Sequence, residues 1–298
     1  MKKEISNTGA SIRVRLLNIA KKSKRDYNAL LNQFFQERFL YKLSLSSYHN
    51  NFILKGALLL MTYNIEKTRP TKDIDFLGKS IKNDVKSLKN IIQEICSVKT
   101  NDGIEFIKEK VSAELIKEEA EYGGVRIHIP YQMHTIKGVI QIDVGFGDKI
   151  IKGPTKIEFP TLLDMPAPLI NVYSLETAIA EKFEAIVKLN FQTSRMKDFF
   201  DIDHISTYSK FDSSILLEAL SITFKTRGTN LEDRKTIFSE EFKTDNKKKS
   251  QWKAFLNKNK ILSDKTFVDT VNNIEKFIEP IFSSKELKWN PQKFIWES

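Results

Sequence analysis

Two aspartates that flank a single isoleucine, Asp73 and Asp75, constrain the fold of this 298-residue chain more than any other feature. The segment 73–77 has the alternating pattern that is typical of a β-strand. Side chains two residues apart on a strand point to the same side of a sheet, so both carboxylates project together while Ile74 and Phe76 enter the core. Because adjacent carboxylates repel each other unless a cation bridges them, the pattern predicts a divalent metal site on a strand.

A glycine upstream fits the same chemistry. The apolar strand predicted at 52–54 precedes Lys55, Gly56 and Ala57, and a short helix is expected to continue through Met61. A glycine between a strand and a helix lets the backbone approach a phosphate group and offer amide donors. The combination predicts a site for a metal-bound phosphate compound. The alternative is an edge strand that exposes two solvated aspartates.

A third carboxylate can join this pair. In the segment 139–144, Ile140, Ile142 and Val144 form one apolar face, and Asp143 lies on the other. If this strand pairs beside the strand that contains Asp73, three carboxylates converge, which is enough for two metal ions. Taken alone, Asp143 would be interpreted as a surface residue.

A second group of charged residues lies on predicted helices. Lys182 falls within the apolar stripe of a helix that Ser174 can cap. A lysine on a core-facing stripe must extend to solvent, pair with a carboxylate or bind a phosphate. Asp198 and Asp201 follow three residues apart and share one helix face. These residues predict a polar cluster, and its simplest interpretation is an internal salt bridge that locks two helices together.

The order of the patterns predicts an α+β fold with a mixed β-sheet core. Two helices are expected in the first fifty residues, with Asp26 as a cap for the second, and helices again from Ser174 almost to the end of the chain. We expect two domains. Residues 1–170 would hold the amino-terminal helices and the sheet, and residues 171–298 would form a helical domain that completes the active site.

Three local patterns make further predictions. Residues 81–95 are expected to form a helix. Residues 103–146 have period two, which indicates antiparallel strands with turns at Gly123-Gly124 and Lys137-Gly138. The run Lys247-Lys248-Lys249 is expected to be a solvated turn.

Composition excludes several classes of protein. The single cysteine, Cys96, excludes an intrachain disulfide framework and a four-cysteine zinc site, and the four histidines lack metal-ligand spacing. No apolar run approaches the roughly 20 residues that a membrane span requires. The amino terminus lacks the apolar stretch of a secretory signal. A cytoplasmic protein without membrane contact is therefore expected.

The net charge of +10 is unevenly distributed. Residues 1–50 have a net charge of +7 and residues 225–298 of +5, whereas residues 51–224 have −2. An acidic centre between basic flanks suits a metal-dependent enzyme that acts on a polyanion such as RNA. A lysine-rich surface without a function explains the same charge equally well.

Several segments together resemble the AbiEii/AbiGii toxin family, which belongs to the DNA polymerase beta-like nucleotidyltransferase superfamily. They are residues 30–48, 52–60, 69–78, 173–182 and 194–201. The resemblance implies the toxin of a type IV toxin–antitoxin system, linked to abortive phage infection and antiviral defence. It also implies Mg²⁺- or Mn²⁺-dependent transfer of a nucleotide from an NTP, with GTP favoured, to an RNA acceptor, with tRNA expected. The partner would be a winged-helix antitoxin that represses transcription and need not bind the toxin.

The resemblance also implies roles for individual residues. Asp73, Asp75 and Asp143 would hold the metal ions, and Asp143 would help to activate an RNA hydroxyl. The candidate catalytic residues are these three together with Lys182 and Asp198. The candidate nucleotide-binding residues are Lys55, Gly56, Ala57, Lys72, Lys182, Arg195, Lys197 and Asp201. Ala57 departs from the family, which usually has serine or threonine there, so a hydroxyl that could contact the triphosphate is missing.

Two other functions fit the same residues. One is a nucleotidyltransferase of the antibiotic-modifying kind, which acts on a small molecule and needs no basic flanks. The other is a non-catalytic protein that binds a nucleotide or RNA on the same scaffold, and Ala57 gives it mild support.

Overall fold

The structure is a computed structural model that describes residues 8–63, 68–116, 123–283 and 286–298. The chain divides into two compact units. The first comprises Met1–Thr62, Pro70–Gly147 and Thr155–Val172, and the second comprises Tyr63–Arg69, Asp148–Pro154 and Tyr173–Ser298. Two short segments that precede Tyr173, Tyr63–Arg69 and Asp148–Pro154, thus belong to the same unit as the carboxyl-terminal helices.

In the residues that the structure describes, the first unit contains a mixed β-sheet and four α-helices. The helices are α1 (Thr8–Ser23), α2 (Tyr27–Leu45), α3 (Gly56–Leu59) and α4 (Val85–Cys96). The strands are β1 (Phe52–Lys55), β2 (Asp73–Gly78), β3 (Glu105–Phe106), β4 (Ser112–Ile116), β5 (Gly124–Met133), β6 (Ile136–Gly145), β7 (Thr155–Glu158) and β8 (Leu169–Val172).

The strand that contains the two aspartates lies inside the sheet. The strand order is β3-β5-β6-β2-β1-β8-β7, and β4 also pairs with β5. Strand β2 pairs antiparallel with β1 and parallel with β6. Ile74 and Phe76 are fully buried, as the alternation predicts. The position of β2 contradicts the alternative of a solvated edge strand, and the predicted mixed sheet is confirmed.

Local sequence signals set the ends of several helices. Asp26 caps α2, since its carboxylate accepts a hydrogen bond of 3.0 Å from the backbone N–H of Ala29. Asp84 caps α4 in the same way through the N–H of Ser87. This cap explains why the helix predicted from residue 81 begins at Val85.

The second unit is mostly helical. Its helices are α5 (Leu175–Leu189), α6 (Met196–Tyr208), α7 (Ser213–Arg227), α8 (Arg234–Ile237), α9 (Glu240–Thr244), α10 (Asn246–Lys258) and α11 (Phe267–Ile278). As predicted, Ser174 caps α5. In the ranges that the structure describes, no helix is both long enough and apolar enough to cross a membrane.

The helices continue to Phe282, as predicted, and two short strands that the sequence pattern does not indicate follow them. Strands β9 (Lys288–Asn290) and β10 (Ile295–Glu297) form a two-stranded antiparallel sheet. Each contributes a tryptophan that packs against Phe277 of α11, at ring-centroid distances of 4.9 Å for Trp289 and 5.7 Å for Trp296. Packing of these two indoles, of which Trp289 is buried, stabilises strands that are too short to persist alone.

A predicted turn and a predicted solvated lysine are wrong. Lys137-Gly138 lies within β6, and the turn is at His134, whose φ is 52°. Gly138 is instead required for packing, because a Cβ there would lie 2.3 Å from the hydroxyl oxygen of Tyr131. Lys248 lies in α10 and is buried, with its Nζ donating to the carbonyls of Phe191 and Thr193. Gly123 immediately precedes β5, which begins at Gly124, and residues 117–122 lie outside the described residues.

Candidate active site

Three carboxylates converge on neighbouring strands of the first unit. In the parallel pair of β2 and β6, Asp75 lies directly opposite Asp143. Asp73, Asp75 and Asp143 each offer one carboxylate oxygen, and these three atoms lie within 4.8 Å of one another. All three residues are partly exposed, so a ligand from solvent can reach them. The structure therefore confirms the predicted pairing of these strands and brings the three candidate metal ligands together.

Gly56 makes room for Asp75. Its φ is +69°, and a Cβ at this position would lie 1.9 Å from Oδ2 of Asp75. The pairing of β1 with β2 places Lys55 opposite Asp75, so the chain must pass very close to this carboxylate as it leaves β1. The structure thus gives Gly56 a function that the sequence did not indicate. The predicted approach of its backbone to a phosphate remains a prediction.

Neighbouring polar residues fix the segment around Asp73. The hydroxyl of Thr71 donates to Oδ1 of Asp73 at 2.6 Å. From α2, the side-chain amide of Gln36 donates to the backbone carbonyl of Asp73 at 3.2 Å, and that of Asn32 donates to the carbonyl of Thr71 at 3.0 Å. These contacts restrict the position of a carboxylate that would otherwise move away from its like-charged neighbours.

Asp143 is held by an arginine from the next strand. Arg126 of β5 lies opposite Asp143, and its Nε and Nη2 donate to the two carboxylate oxygens at 2.9 and 2.7 Å. Gln141 donates to the same oxygens at 3.2 and 3.3 Å. These hydrogen bonds with Asp143 raise the pKa of Arg126 above its usual value. Sequence analysis did not assign Arg126, because only the register between β5 and β6 reveals the pair.

The donor atoms of the site suit a hard divalent cation. All three candidate ligands are carboxylates, and oxygen ligands of this kind select Mg²⁺, Mn²⁺ or Ca²⁺ over softer metals. Three carboxylates within 4.8 Å also carry a mutual repulsion that a cation relieves. The residues present therefore fit the divalent metal that the sequence predicts.

The other nucleotide-binding candidates of the first unit lie beside β2, either on the paired strand β1 and directly after it or immediately before Asp73. Lys55 is the last residue of β1 and is partly exposed. Lys72 immediately precedes Asp73 and is exposed. Ala57 is buried, so this position offers only its backbone. Phosphate binding by Lys55, Ala57 and Lys72 remains a prediction.

The second unit contains a separate network of ion pairs around Lys182. The Nζ of Lys182 donates to Oδ2 of Asp201 at 2.7 Å and to Oδ1 of Asp198 at 3.3 Å, and both aspartates are buried. Arg69 donates to both oxygens of Asp201 at 2.9 Å, and Arg195 donates to Oδ2 of Asp198 at 2.5 Å. Arg69 is another residue that sequence analysis did not assign.

The charges of this network stabilise one another. Burial lowers the pKa of Lys182, but the charges of Asp201 and Asp198 more than offset this effect, so the pKa lies above its usual value. Burial raises the pKa of Asp198, but Lys182 and Arg195 outweigh it, and the pKa is lowered. These ion pairs form the internal salt bridge between two helices that was the simplest interpretation of the sequence. Nucleotide binding by Lys182, Arg195, Asp201 and the exposed Lys197, and a catalytic role for Lys182 and Asp198, remain predictions.

Replacing Lys182 with alanine is expected to lower the free energy of unfolding by about 2–3 kcal/mol, because it leaves two buried carboxylates with one cationic partner fewer each. Urea denaturation measures this change. Lys188→Ala is a matched control, since Lys188 is exposed on the same helix and its removal should change stability by less than about 0.5 kcal/mol. Equal stability of both variants would show that the network around Lys182 does not hold these helices together.

The fold of the chain is similar to that of a solved structure. JHP933 from Helicobacter pylori shares the fold, with a TM-score of 0.53 and 15% sequence identity over 87% of this chain and 93% of that one. A protein named "putative nucleotidyltransferase from H. pylori" aligns with a TM-score of 0.45 and 16% identity, over 86% of this chain and 98% of its own. No curated protein sequence matches the chain.

A family model gives the assignment. The model described as "Nucleotidyl transferase AbiEii toxin, Type IV TA system" matches residues 38–273, which include all three carboxylates and the network around Lys182. The match covers well over half of the chain and confirms the resemblance drawn from its motifs. The chain therefore belongs to the AbiEii family of nucleotidyl transferase toxins of type IV toxin–antitoxin systems.

Proposed function

We propose that this toxin transfers a nucleoside monophosphate from an NTP to an RNA, with Asp73, Asp75 and Asp143 holding Mg²⁺ or Mn²⁺. The observation that supports this proposal is the convergence of the three carboxylates within 4.8 Å on two central strands. When bound, the divalent cations neutralise charge on the triphosphate and lower the pKa of the attacking hydroxyl. Phosphoryl transfer needs mainly positioning and charge stabilisation from the protein.

The chain's own residues would divide this work. Asp73 and Asp75 project from one face of β2. The hydroxyl of Thr71 holds the carboxylate of Asp73, and Gly56 leaves room for that of Asp75. Asp143 is partly exposed and would accept the proton of the RNA hydroxyl that attacks the α-phosphate, while the bond from that phosphorus to the oxygen bridging to the β-phosphate breaks and pyrophosphate leaves. GTP is the nucleotide that the family resemblance favours. Lys55 and Lys72 would contact its phosphates.

An RNA acceptor is supported by the surface of α1. Residues 8–25 contain six arginines and lysines and no acidic residue. All six cationic side chains are exposed, whereas Ile12, Leu16 and Ala20 bury the opposite face against the first unit. An acid-free basic face suits a phosphate backbone. We propose tRNA as the acceptor, so that its modification blocks translation and growth, and defence against phage as the purpose of this toxicity.

The experiment that tests this function supplies one ³²P-labelled NTP at a time, labelled at the α-phosphate, with Mg²⁺ and either total RNA or candidate small molecules. We expect label in an RNA of tRNA size with one or more of the four NTPs, and none when a chelator removes the metal. Label in a small molecule but not in RNA would instead support the antibiotic-modifying kind of enzyme. Binding of nucleotide and RNA without any transfer would support the non-catalytic function.

The basic face of α1 makes a quantitative prediction. Replacing Arg13, Arg15, Lys21 and Lys22 with glutamine should weaken RNA binding at least about tenfold at 0.1 M salt and reduce the slope of log K against log [salt] by about 2–3, because fewer counterions are released. Fluorescence anisotropy with labelled tRNA over a salt series measures both quantities.

A control variant carries the same change in charge on another part of the first unit. It replaces four exposed lysines with glutamine, namely Lys79, Lys82, Lys86 and Lys99. We expect the RNA affinity of this variant to stay within about twofold of that of the native protein. Its slope of log K against log [salt] should differ from the native slope by less than about one unit. Equal losses in both variants, or RNA binding that does not respond to salt, would contradict a specific role for α1.

The family implies a cognate antitoxin. We propose that this antitoxin is a winged-helix repressor that acts at the level of transcription in the cytoplasm, without needing to bind the toxin. Co-purification of tagged toxin from cells that express both proteins tests this point. A stable complex of the two proteins would contradict it.

A further inference from the structure

The contact between Arg126 and Asp143 occupies part of the site that should bind the cation. Both oxygens of Asp143 accept hydrogen bonds from Arg126, at 2.9 and 2.7 Å, so the guanidinium lies directly against the third candidate metal ligand. We propose that Arg126 competes with the divalent cation for Asp143 and moves to the triphosphate when an NTP binds, so that cation and nucleotide bind cooperatively. This inference rests on the proposed function of the same site.

The charges at the site support this competition. Asp143 is one of three carboxylates that offer oxygens within 4.8 Å of one another, and Arg126 is the positive group hydrogen-bonded to it. Without a metal, the guanidinium offsets part of the repulsion among these carboxylates. A cation held by the same carboxylates would lie close to the guanidinium, and two positive charges at such a distance weaken each other's binding.

The geometry allows the guanidinium to leave Asp143 without a change in the sheet. The backbone of Arg126 is paired on both sides, with Glu114 of β4 and with Asp143 of β6, so its Cα is fixed. Its side chain is 38% exposed, whereas that of Asp143 is 16% exposed. A rotation of the side chain alone would therefore bring the guanidinium towards solvent. A planar guanidinium binds phosphate oxygens with the same two-pronged geometry that it uses for a carboxylate.

The competition explains how a site of three acidic residues could bind metal mainly together with its nucleotide. Mg²⁺ in proteins is held by one or two carboxylates together with substrate phosphates. While Arg126 holds Asp143, the cation should bind weakly. A triphosphate that attracts Arg126 would release Asp143, and each ligand would then raise the affinity of the other by the same factor.

The test is calorimetric titration of Mn²⁺ into the full chain, with and without a GTP analogue that has a methylene bridge between its α- and β-phosphates. We expect Arg126→Gln to bind Mn²⁺ about tenfold more tightly than the native protein when no nucleotide is present. We also expect the analogue to raise the Mn²⁺ affinity of this variant by a smaller factor than that of the native protein. Lys137→Gln removes an exposed charge from β6, six residues from Asp143, and should behave as the native protein does.

Weaker or unchanged Mn²⁺ binding by Arg126→Gln, or an unchanged effect of the nucleotide, would overturn this inference. A native protein that binds no Mn²⁺ with or without the analogue would instead overturn the proposed function. If Arg126→Gln fails to give a cooperative melting curve, Arg126→Lys decides the question. Arg126→Lys keeps the positive charge but loses the two parallel hydrogen bonds to Asp143. In the absence of nucleotide, it should therefore bind Mn²⁺ more tightly than the native protein, by a smaller factor than the one expected of Arg126→Gln. An equal or lower affinity would overturn the inference.

Discussion

Replacing Asp75 with asparagine is expected to reduce the rate of nucleotide transfer at least about 10³-fold, because it removes the charge of a proposed metal ligand while it keeps the size of the side chain. Asp75 lies opposite Asp143 on the neighbouring strand and two residues from Asp73 on its own strand. Its neutral replacement still fits beside Gly56, so the fold should be retained. The initial rate of label transfer to RNA and the inhibition of growth on expression measure the effect.

A suitable control is Asp164→Asn, which makes the same chemical change at an exposed position of the first unit. We expect this variant to transfer label and to inhibit growth as the native protein does. A folded Asp75→Asn variant that still inhibits growth would contradict catalysis as the cause of toxicity. It would favour a protein that acts by binding a nucleotide or RNA.

Replacing Gly56 with alanine is expected to abolish nucleotide transfer almost as completely. The new Cβ would lie 1.9 Å from Oδ2 and 2.7 Å from Cγ of Asp75, so the carboxylate must leave its position. A shift of about 1 Å at a catalytic group can cost 10²-fold in rate, and this clash requires a larger one. Mn²⁺ affinity should fall together with activity, which calorimetry and label transfer can each measure.

An alanine at position 56 would also be strained by the left-handed backbone conformation of this residue. Substitution of a second glycine with the same backbone conformation measures the effect of this strain without the clash. Gly153 has a φ of +70°, close to the +69° of Gly56, but a Cβ added there would meet no atom within 4 Å. Gly153→Ala should therefore lose about 1 kcal/mol of stability and keep full activity. If Gly56→Ala behaves in the same way, the contact with Asp75 is not what requires a glycine.

The candidate metal site could be predicted from sequence because strand periodicity fixes the direction of side chains. The alternation around Asp73 and Asp75 placed both carboxylates on one face, and the apolar face of the strand 139–144 left Asp143 on the other. The structure confirms that these strands are neighbours. The helix caps at Asp26 and Ser174 could be predicted from sequence as well, because capping depends on residues within one turn.

The contacts that hold these residues in place could not be predicted, because each depends on register or on a distant segment. Arg126 meets Asp143 only in one pairing of β5 with β6, and a shift by one residue would turn it to the other face. Gln36 reaches β2 from a helix that lies 37 residues earlier in the chain. Arg69 meets Asp201 across 132 residues. Local sequence patterns contain no information about contacts between segments that are this far apart in the chain.

The errors have the same origin. A glycine such as Gly138 often marks a turn, but here it makes room for the ring of Tyr131. A run of lysines such as the one that contains Lys248 indicates a solvated segment, but two backbone carbonyls accept hydrogen bonds from the Nζ of Lys248 inside the second unit. The tertiary environment outweighed local preference at both positions.

The central claim is that Asp73, Asp75 and Asp143 bind the divalent cation that accompanies the nucleotide. Crystals of the full chain grown with Mn²⁺ and the methylene-bridged GTP analogue test it most directly, because anomalous scattering locates manganese without ambiguity. We predict an anomalous peak about 2.0–2.3 Å from an oxygen of at least two of these carboxylates, with phosphate oxygens of the analogue at the same ion. Manganese and nucleotide bound elsewhere on the chain, with the three carboxylates bare, would contradict the claim.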